Sequence, residues 1–319
     1  MGYIGIDGGG TKTTIALVDE RGSFIARYDG GPGNPLSTGI EEVEDTLISL
    51  IDKVRSNHTE AFSRVKSVLA GMAGTENKHA RTKVLNVLQS QFPSTVDVDV
   101  TNDALTALYS GTGGAPGIVN IAGTGSITYG ITREGKEVRI GGWGYLTDHH
   151  GSGYGVGRLA IRKMFEAYDG LSKNTSIEKR ILERFPIKTP PELVPFLYDS
   201  ANLRTQIASI CEDVFDEWMA GDEVASEIIQ IAGKDISRCI VGMLHQYFHN
   251  EKEVKVVLTG SVFKRLDRFK PLIETNLPED TIIIVPKLPP VAGAVIAGYQ
   301  KSRMNHSNEF IETLKRTYR

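Results

Sequence analysis

The chain has 319 residues, 40% hydrophobic and 24% charged, with a formal net charge of −3. That length exceeds one ordinary core and predicts two lobes, while the near-neutral charge offers no electrostatic footprint for nucleic acid. The start, MGYIGIDGGG, lacks the basic region and long apolar run of a secretory signal, and no apolar stretch reaches the length of a bilayer span, so a cytoplasmic protein away from membranes is expected.

Taken in chain order, Tyr3–Asp7 and Thr14–Asp19 read as strands on either side of a glycine-rich turn, with a third strand at Phe24–Tyr28. Thr38 with Glu41 forms a capping-box pattern, and Ile40, Val43, Leu47, Ile51 and Val54 recur at helical spacing. Val65–Leu69 reads as a strand entering Gly71-Met72-Ala73-Gly74, and a helix follows to about Gln91. Val96, Val98 and Val100 alternate with aspartates, which marks a half-buried strand.

A second meander spans Ile118–Gly142. Gly10-Thr11 and Gly22 recur as Gly123-Thr124 and Gly135, each 113 residues further on, so the two halves read as a duplication. Gly155–His249 is mostly helical in pattern, including Leu203–Met219 and Glu223–Phe248, with Pro190-Pro191 as a break. Val254–Leu258 and Thr281–Val285 read as strands, and Val291–Gln300 as a small-residue helix opened by Pro289-Pro290. Cys211 and Cys239 stand far apart, outside any CxxC spacing, and predict buried free thiols. With no linker or low-complexity tract, the expected division is an N-terminal lobe over 1–115, with a C-terminal helix from about 300 packing back on it, and a larger lobe over 116–299 with a helical insertion.

Three strand-ending turns combine missing side chains with hydroxyls: Asp7-Gly8-Gly9-Gly10-Thr11-Lys12-Thr13, Gly123-Thr124-Gly125-Ser126 and Gly260-Ser261. Glycine lets backbone N–H groups approach an anionic oxygen, and Thr or Ser adds a donor, so such turns suit phosphate. Each taken singly also reads as a tight hairpin that needs glycine only for positive φ. Neither GxxxxGK[ST] nor GxGxxG occurs, which removes the usual phosphate-loop and dinucleotide readings.

Gly5-Ile6-Asp7-Gly8-Gly9-Gly10-Thr11-Lys12-Thr13, Gly33-Asn34, Thr101-Asn102-Asp103-Ala104, Ile121-Ala122-Gly123-Thr124-Gly125-Ser126 and Gly141-Gly142-Trp143-Gly144 occur in the order seen in N-acetylglucosamine kinases. The chain resembles that family along nearly its whole length, and with it the BadF/BadG/BcrA/BcrD ATPases and archaeal broad-specificity hexokinases. The resemblance implies an α/β, two-lobe actin-like ATPase (ribonuclease H-like) fold with duplicated mixed sheets flanked by helices. It also implies a kinase that uses ATP and Mg²⁺ on a small sugar, N-acetylglucosamine or a related amino sugar, and allows a homodimer. A cleft closing over nucleotide and sugar would keep water from competing as acceptor.

Carried over residue by residue, the resemblance makes Asp103 the base that accepts the proton of the sugar hydroxyl. Alone, Asp103 reads as the cap of the following helix, Ala104–Ser110. Asp7 would hold Mg²⁺, usually through water. Gly10, Thr11, Lys12 and Thr13 in the first half, and Gly123, Thr124 and Gly125 in the second, would meet the phosphates. Gly260 and Ser261, with Gly293 and Ala294, would meet the adenosine. Asn34 would bind a sugar hydroxyl, or alone make an Asx turn before Pro35, and Trp143 would stack near the sugar or pack in the core.

Where the resembled kinases commonly read Gly-Asp-Glu-Gly-Ser, this chain has Asp148-His149-His150-Gly151-Ser152. His149 takes the place of the family aspartate, with Asp148 displaced by one position, so glucose, glucosamine or another amino sugar stays open beside N-acetylglucosamine. Adjacent histidines point different ways, which argues against a metal site. The other readings are a broad-specificity glucokinase or hexokinase, an ATPase that activates a redox partner through cysteines at a dimer interface, and a sugar sensor without turnover.

Overall fold

The computed structural model describes residues 1–147, 151–199, 202–302 and 307–318. The chain divides into two compact units, residues 1–117 with 284–319, and residues 118–283.

The first unit opens with β1 (Gly2–Gly8), β2 (Thr13–Asp19) and β3 (Phe24–Gly30), followed by α1 (Ile40–Asn57), the short α2 (Thr59–Ser63), β4 (Val65–Met72), α3 (Lys78–Ser90), β5 (Asp97–Thr101) and α4 (Asp103–Thr112). Its sheet has the order β3-β2-β1-β4-β5, with β1 antiparallel to β2 and parallel to β4. Period-two alternation sorts the side chains of β1. Ile4 and Ile6 join Val43, Leu47, Ile51 and Val54 of α1 in one core, while Tyr3 faces the opposite side. The capping box does not form. Gly39 is the N-cap of α1 at φ 90°, and the Thr38 hydroxyl instead donates to the Asn34 carbonyl at 3.1 Å.

The second unit begins with β6 (Gly117–Ala122), β7 (Ser126–Ile131) and β8 (Glu137–Gly141). It continues through α5 (Gly153–Tyr168), α6 (Ile177–Arg184), α7 (Leu193–Tyr198), α8 (Leu203–Ala220), α9 (Glu223–Tyr247), β9 (Lys255–Thr259), α10 (Leu266–Glu274) and β10 (Ile282–Ile284). Its sheet order is β10-β9-β6-β7-β8, with β6 parallel to β9 and β7 antiparallel to β8. Read from the other edge, this repeats the order of the first sheet. The duplication seen as a spacing is therefore a duplication of topology. The five helices α5–α9 occupy the crossover from β8 to β9 and bury one large apolar core.

The last two helices, α11 (Pro290–Ser302) and α12 (Asn308–Thr317), group with the first unit. Residues 284–299, expected in the second lobe, thus belong to the first. The cause lies in the small residues of α11. An ideal Cβ on Gly5 of β1 would stand 2.5 Å from the Val291 carbonyl, and one on Gly293 only 1.8 Å from the Thr106 carbonyl of α4, so α11 lies nearly backbone to backbone on both. Among the described residues no helix is long and apolar enough to cross a membrane.

Candidate active site

In the first unit the parallel strands β1, β4 and β5 all end on one sheet edge, where open α/β sheets collect ligands. Asp7 is the penultimate residue of β1 and Asp103 is the first residue of α4, directly after β5. Asn102, not Asp103, caps α4, its side-chain oxygen accepting from the Leu105 N–H at 2.8 Å. The carboxylate of Asp103 is thereby left for another task. Thr75 ties the β4–α3 loop to the same edge, its hydroxyl lying 2.7 Å from the Met72 carbonyl and 2.9 Å from the Thr101 carbonyl.

Burial and then the nearby Glu76 push the Asp103 carboxyl up to about 6, against the opposing pull of its own and the Ala104 N–H. Burial and then the charge of Asp103 push Asp7 up to about 7, with the Thr106 hydroxyl and Lys12 drawing it back. Two carboxyls with ordinary values near 4 are thus held close to neutrality, one of them at the start of a helix where a negative charge is favoured.

The β1–β2 turn is closed by Gly9 N–H donating to the Lys12 carbonyl at 2.9 Å. Neither Gly9 nor Gly10 takes a positive φ, and a Cβ on Gly10 would meet nothing within 4 Å. The fold does not require glycine at position 10. Gly10 and Thr11 are exposed, but Thr13 is fully buried with its hydroxyl unpartnered, so a phosphate at this turn would meet the outer residues. Lys12 forms an ion pair with Asp29 at 3.0 Å, for which a phosphate would have to compete.

Asn34 lies partly buried with its side-chain oxygen accepting from the Leu36 N–H at 3.0 Å. The Asx turn is therefore present, and the amide NH₂ is the part of this side chain suited to donate to a ligand. Gly74 packs against Asn34 so closely that a Cβ there would stand 2.4 Å from its side-chain oxygen.

In the second unit the Gly123–Gly125 turn is anchored through its carbonyls. Gly153 N–H donates to Gly123 at 2.7 Å and Tyr154 N–H to Thr124 at 3.1 Å, both from the first turn of α5, which Ser152 caps. Beside the turn opens a cavity of about 240 Å³ between α8 and the Ser261–Arg265 segment. Ala208, Phe215 and Val262 give it apolar walls, Thr205, Ser209 and Glu212 line one polar side, and Gly123 and Thr124 form part of its lining. Arg204, in the first turn of α8, stands over the turn. Its Nη2 lies 2.5 Å from the place a Cβ on Gly125 would take. Trp143 is 69% exposed, its ring 3.8 Å from the Arg139 guanidinium carbon, so it is a surface platform and not core packing.

The model of the BadF/BadG/BcrA/BcrD ATPase family matches residues 4–298. The chain belongs to that family. It is 29% identical over 297 residues to the N-acetylmuramic acid/N-acetylglucosamine kinase of Clostridium acetobutylicum, covering 92% of this chain and 96% of the other. It is 30% identical over 288 residues to the N-acetyl-D-glucosamine kinase of Dictyostelium discoideum, covering 87% and 90%. A proposed N-acetylglucosamine kinase from Chromobacterium violaceum has the same fold, with a TM-score of 0.71 at 23% identity over 92% of this chain and 98% of that one. The α/β actin-like class follows from this likeness and from the duplicated sheets.

Not every residue singled out from the sequence reaches the protein surface. Gly293 and Ala294, read as adenosine contacts, are buried in the first unit; Gly293 faces α4, and Ala294 packs with Leu69 and Ala297. Small residues there serve the close approach of helices. Gly260 is exposed, and its glycine is required by φ 116° and a Cβ position 2.2 Å from the Ala122 carbonyl; its neighbour Ser261 is exposed and lines the cavity. Asp148 and His149 lie outside the described residues. Sequence reasoning missed Thr205 and Ser209, which line the cavity, and Arg204 over the Gly125 turn, because α8 read as a filler helix and nothing local marks its cavity-facing residues.

Proposed function

We propose that this protein transfers the γ-phosphoryl group of ATP to a hydroxyl of an amino sugar of the N-acetylglucosamine type. The observation that carries the reading is Asp103, released from capping by Asn102 and held near neutrality at the end of the parallel strands. The relatives named for N-acetylglucosamine and N-acetylmuramic acid support the sugar class.

In the first unit, the Asp103 carboxylate accepts the proton of the sugar hydroxyl as its oxygen attacks the γ-phosphorus. The bond to the β–γ bridging oxygen breaks, and ADP leaves with the electron pair. A positioned base of this kind contributes roughly 10² to 10⁴ in rate. Asn34 donates to a second hydroxyl. In the second unit, the cavity beside α8 takes the adenosine, and the Gly123–Gly125 turn takes phosphate oxygens.

Among the described residues no three His, Cys, Asp or Glu side chains converge on a metal site. Two acidic groups, Asp7 and Asp103, suit a Mg²⁺ that arrives on the nucleotide and keeps much of its water, with Asp7 as its partner. Such an ion would neutralise phosphate charge during transfer.

ADP release measured with N-acetylglucosamine, N-acetylmuramate, glucosamine, glucose and mannose tests the reading. An N-acetylated amino sugar is expected to stimulate release most, and no stimulation by any of the five would remove the kinase assignment.

A further inference from the structure

We propose that Arg204 is a further catalytic residue, whose guanidinium binds the phosphates that remain with the nucleoside when the γ-group leaves. The inference rests on the kinase reading above and assigns one more residue to it.

Arg204 precedes Ala208 by one helical turn, and Ala208 lines the cavity proposed for adenosine. A polyphosphate leaving that cavity past Gly123 and Thr124 comes next to Gly125, and the Arg204 guanidinium already stands there. Gly125 permits this approach, because any side chain would meet Nη2. The guanidinium is also held from the side, 5.8 Å from the Tyr145 ring, which itself packs edge-on against Tyr154 of α5 at 5.3 Å.

The neighbouring cations of the cavity are already paired. Lys264 lies 3.7 Å from Glu212, and Arg265 is bound to Asp216. Among the described residues no carboxylate lies within 4.0 Å of Arg204, which is exposed. Its place at the start of α8 adds the positive end of the helix to its own charge. A planar, permanently charged fork matches two phosphate oxygens at once. As the β–γ bridging oxygen takes the electron pair, negative charge grows on ADP, and a cation supplied in cis at that point lowers the barrier.

Calorimetric titration with ADP and AMP, beside steady-state kinetics with the preferred sugar, tests this in wild type, Arg204→Ala, Arg204→Lys and Gly125→Ala. Arg204→Ala is expected to bind ADP about tenfold or more weakly while AMP binding holds, and to lose about 10²-fold in kcat, the cost of one charge-stabilising donor. Added guanidinium ion should restore part of that loss, and Arg204→Lys should fall between. Gly125→Ala displaces the flexible end of Arg204, so the double variant Gly125→Ala/Arg204→Ala should be little worse than Arg204→Ala alone. Unchanged ADP affinity and kcat in Arg204→Ala, or equal losses for ADP and AMP, would overturn the assignment with the kinase reading intact. A wild-type protein that binds no ADP would instead remove the kinase reading on which it rests.

Discussion

The Thr106 hydroxyl stands 3.4 Å from a carboxylate oxygen of Asp7 and 2.8 Å from the main-chain carbonyl of Asp103. One side chain in the first turn of α4 therefore links the end of β1 to the residue that follows β5. Gly71 makes room for it, since a Cβ there would stand 2.2 Å from the Thr106 methyl. The link runs through the Asp103 main chain, and it sets the two carboxyls near enough for the charge of Asp103 to raise Asp7.

The first consequence is a pH dependence. In the proposed mechanism Asp103, at about 6, and Asp7, at about 7, would both act ionised, one accepting a proton and the other holding a cation. Activity is expected to rise with pH between about 5.5 and 7.5 and then to level. A pH profile of kcat/KM, which reports the groups of the ligand-free protein, checks this, and a flat profile from pH 5 to 8 would contradict it.

The same shifts oppose stability. A carboxyl whose folded value lies above its unfolded one binds its proton more tightly in the folded state, so its contribution is present at acid pH and lost as pH rises through the folded value. Asp103→Asn is therefore expected to stabilise the fold by about 1–2 kcal/mol at pH 8, where ionised Asp103 is a burden, and to change it little near pH 4. Urea unfolding at the two pH values measures the difference; equal effects at both would show that burial does not perturb this group.

Two glycines separate ligand space from packing space. Gly10→Ala places its methyl in open space and should leave stability within about 0.5 kcal/mol while raising KM for ATP. Gly293→Ala would drive a methyl into the Thr106 carbonyl and should cost about 3 kcal/mol or more. Thermal unfolding with ATP kinetics reads both, and the reverse ranking would show that the two positions have been misread.

Trp143 is exposed on the Arg139 guanidinium, so truncating it removes little folding energy. Trp143→Ala is expected to cost at most about 1 kcal/mol in stability and to raise KM for the sugar about tenfold, with KM for ATP unchanged. An unaltered sugar KM would make the ring a surface feature without a role in binding.

Much of this arrangement was legible in the sequence. The strand, Gly-Thr turn, strand, Gly turn, strand order of the first meander and its recurrence 113 residues later foretold two related halves, which the two sheets of one topology bear out. Packing was harder to read. Gly293 and Gly10 look alike in sequence, yet one lets α11 approach the Thr106 carbonyl of α4 and the other borders open space, a distinction set by residues far along the chain. Thr38 and Glu41 spell a capping box, but the Asn34 carbonyl competes for the Thr38 hydroxyl and takes it. Arg204 carried no local signal, since its meaning depends on Gly125, nearly eighty residues earlier.

The most direct test of the account sets wild type beside Asp103→Asn at pH 8 and measures sugar-dependent ADP release together with ADP binding. The expected result is strong stimulation of the wild type by an amino sugar, a loss of at least about 10²-fold in the variant, and ADP affinity the same in both. A variant that still phosphorylates the sugar at the wild-type rate would contradict the assignment of Asp103 as the base.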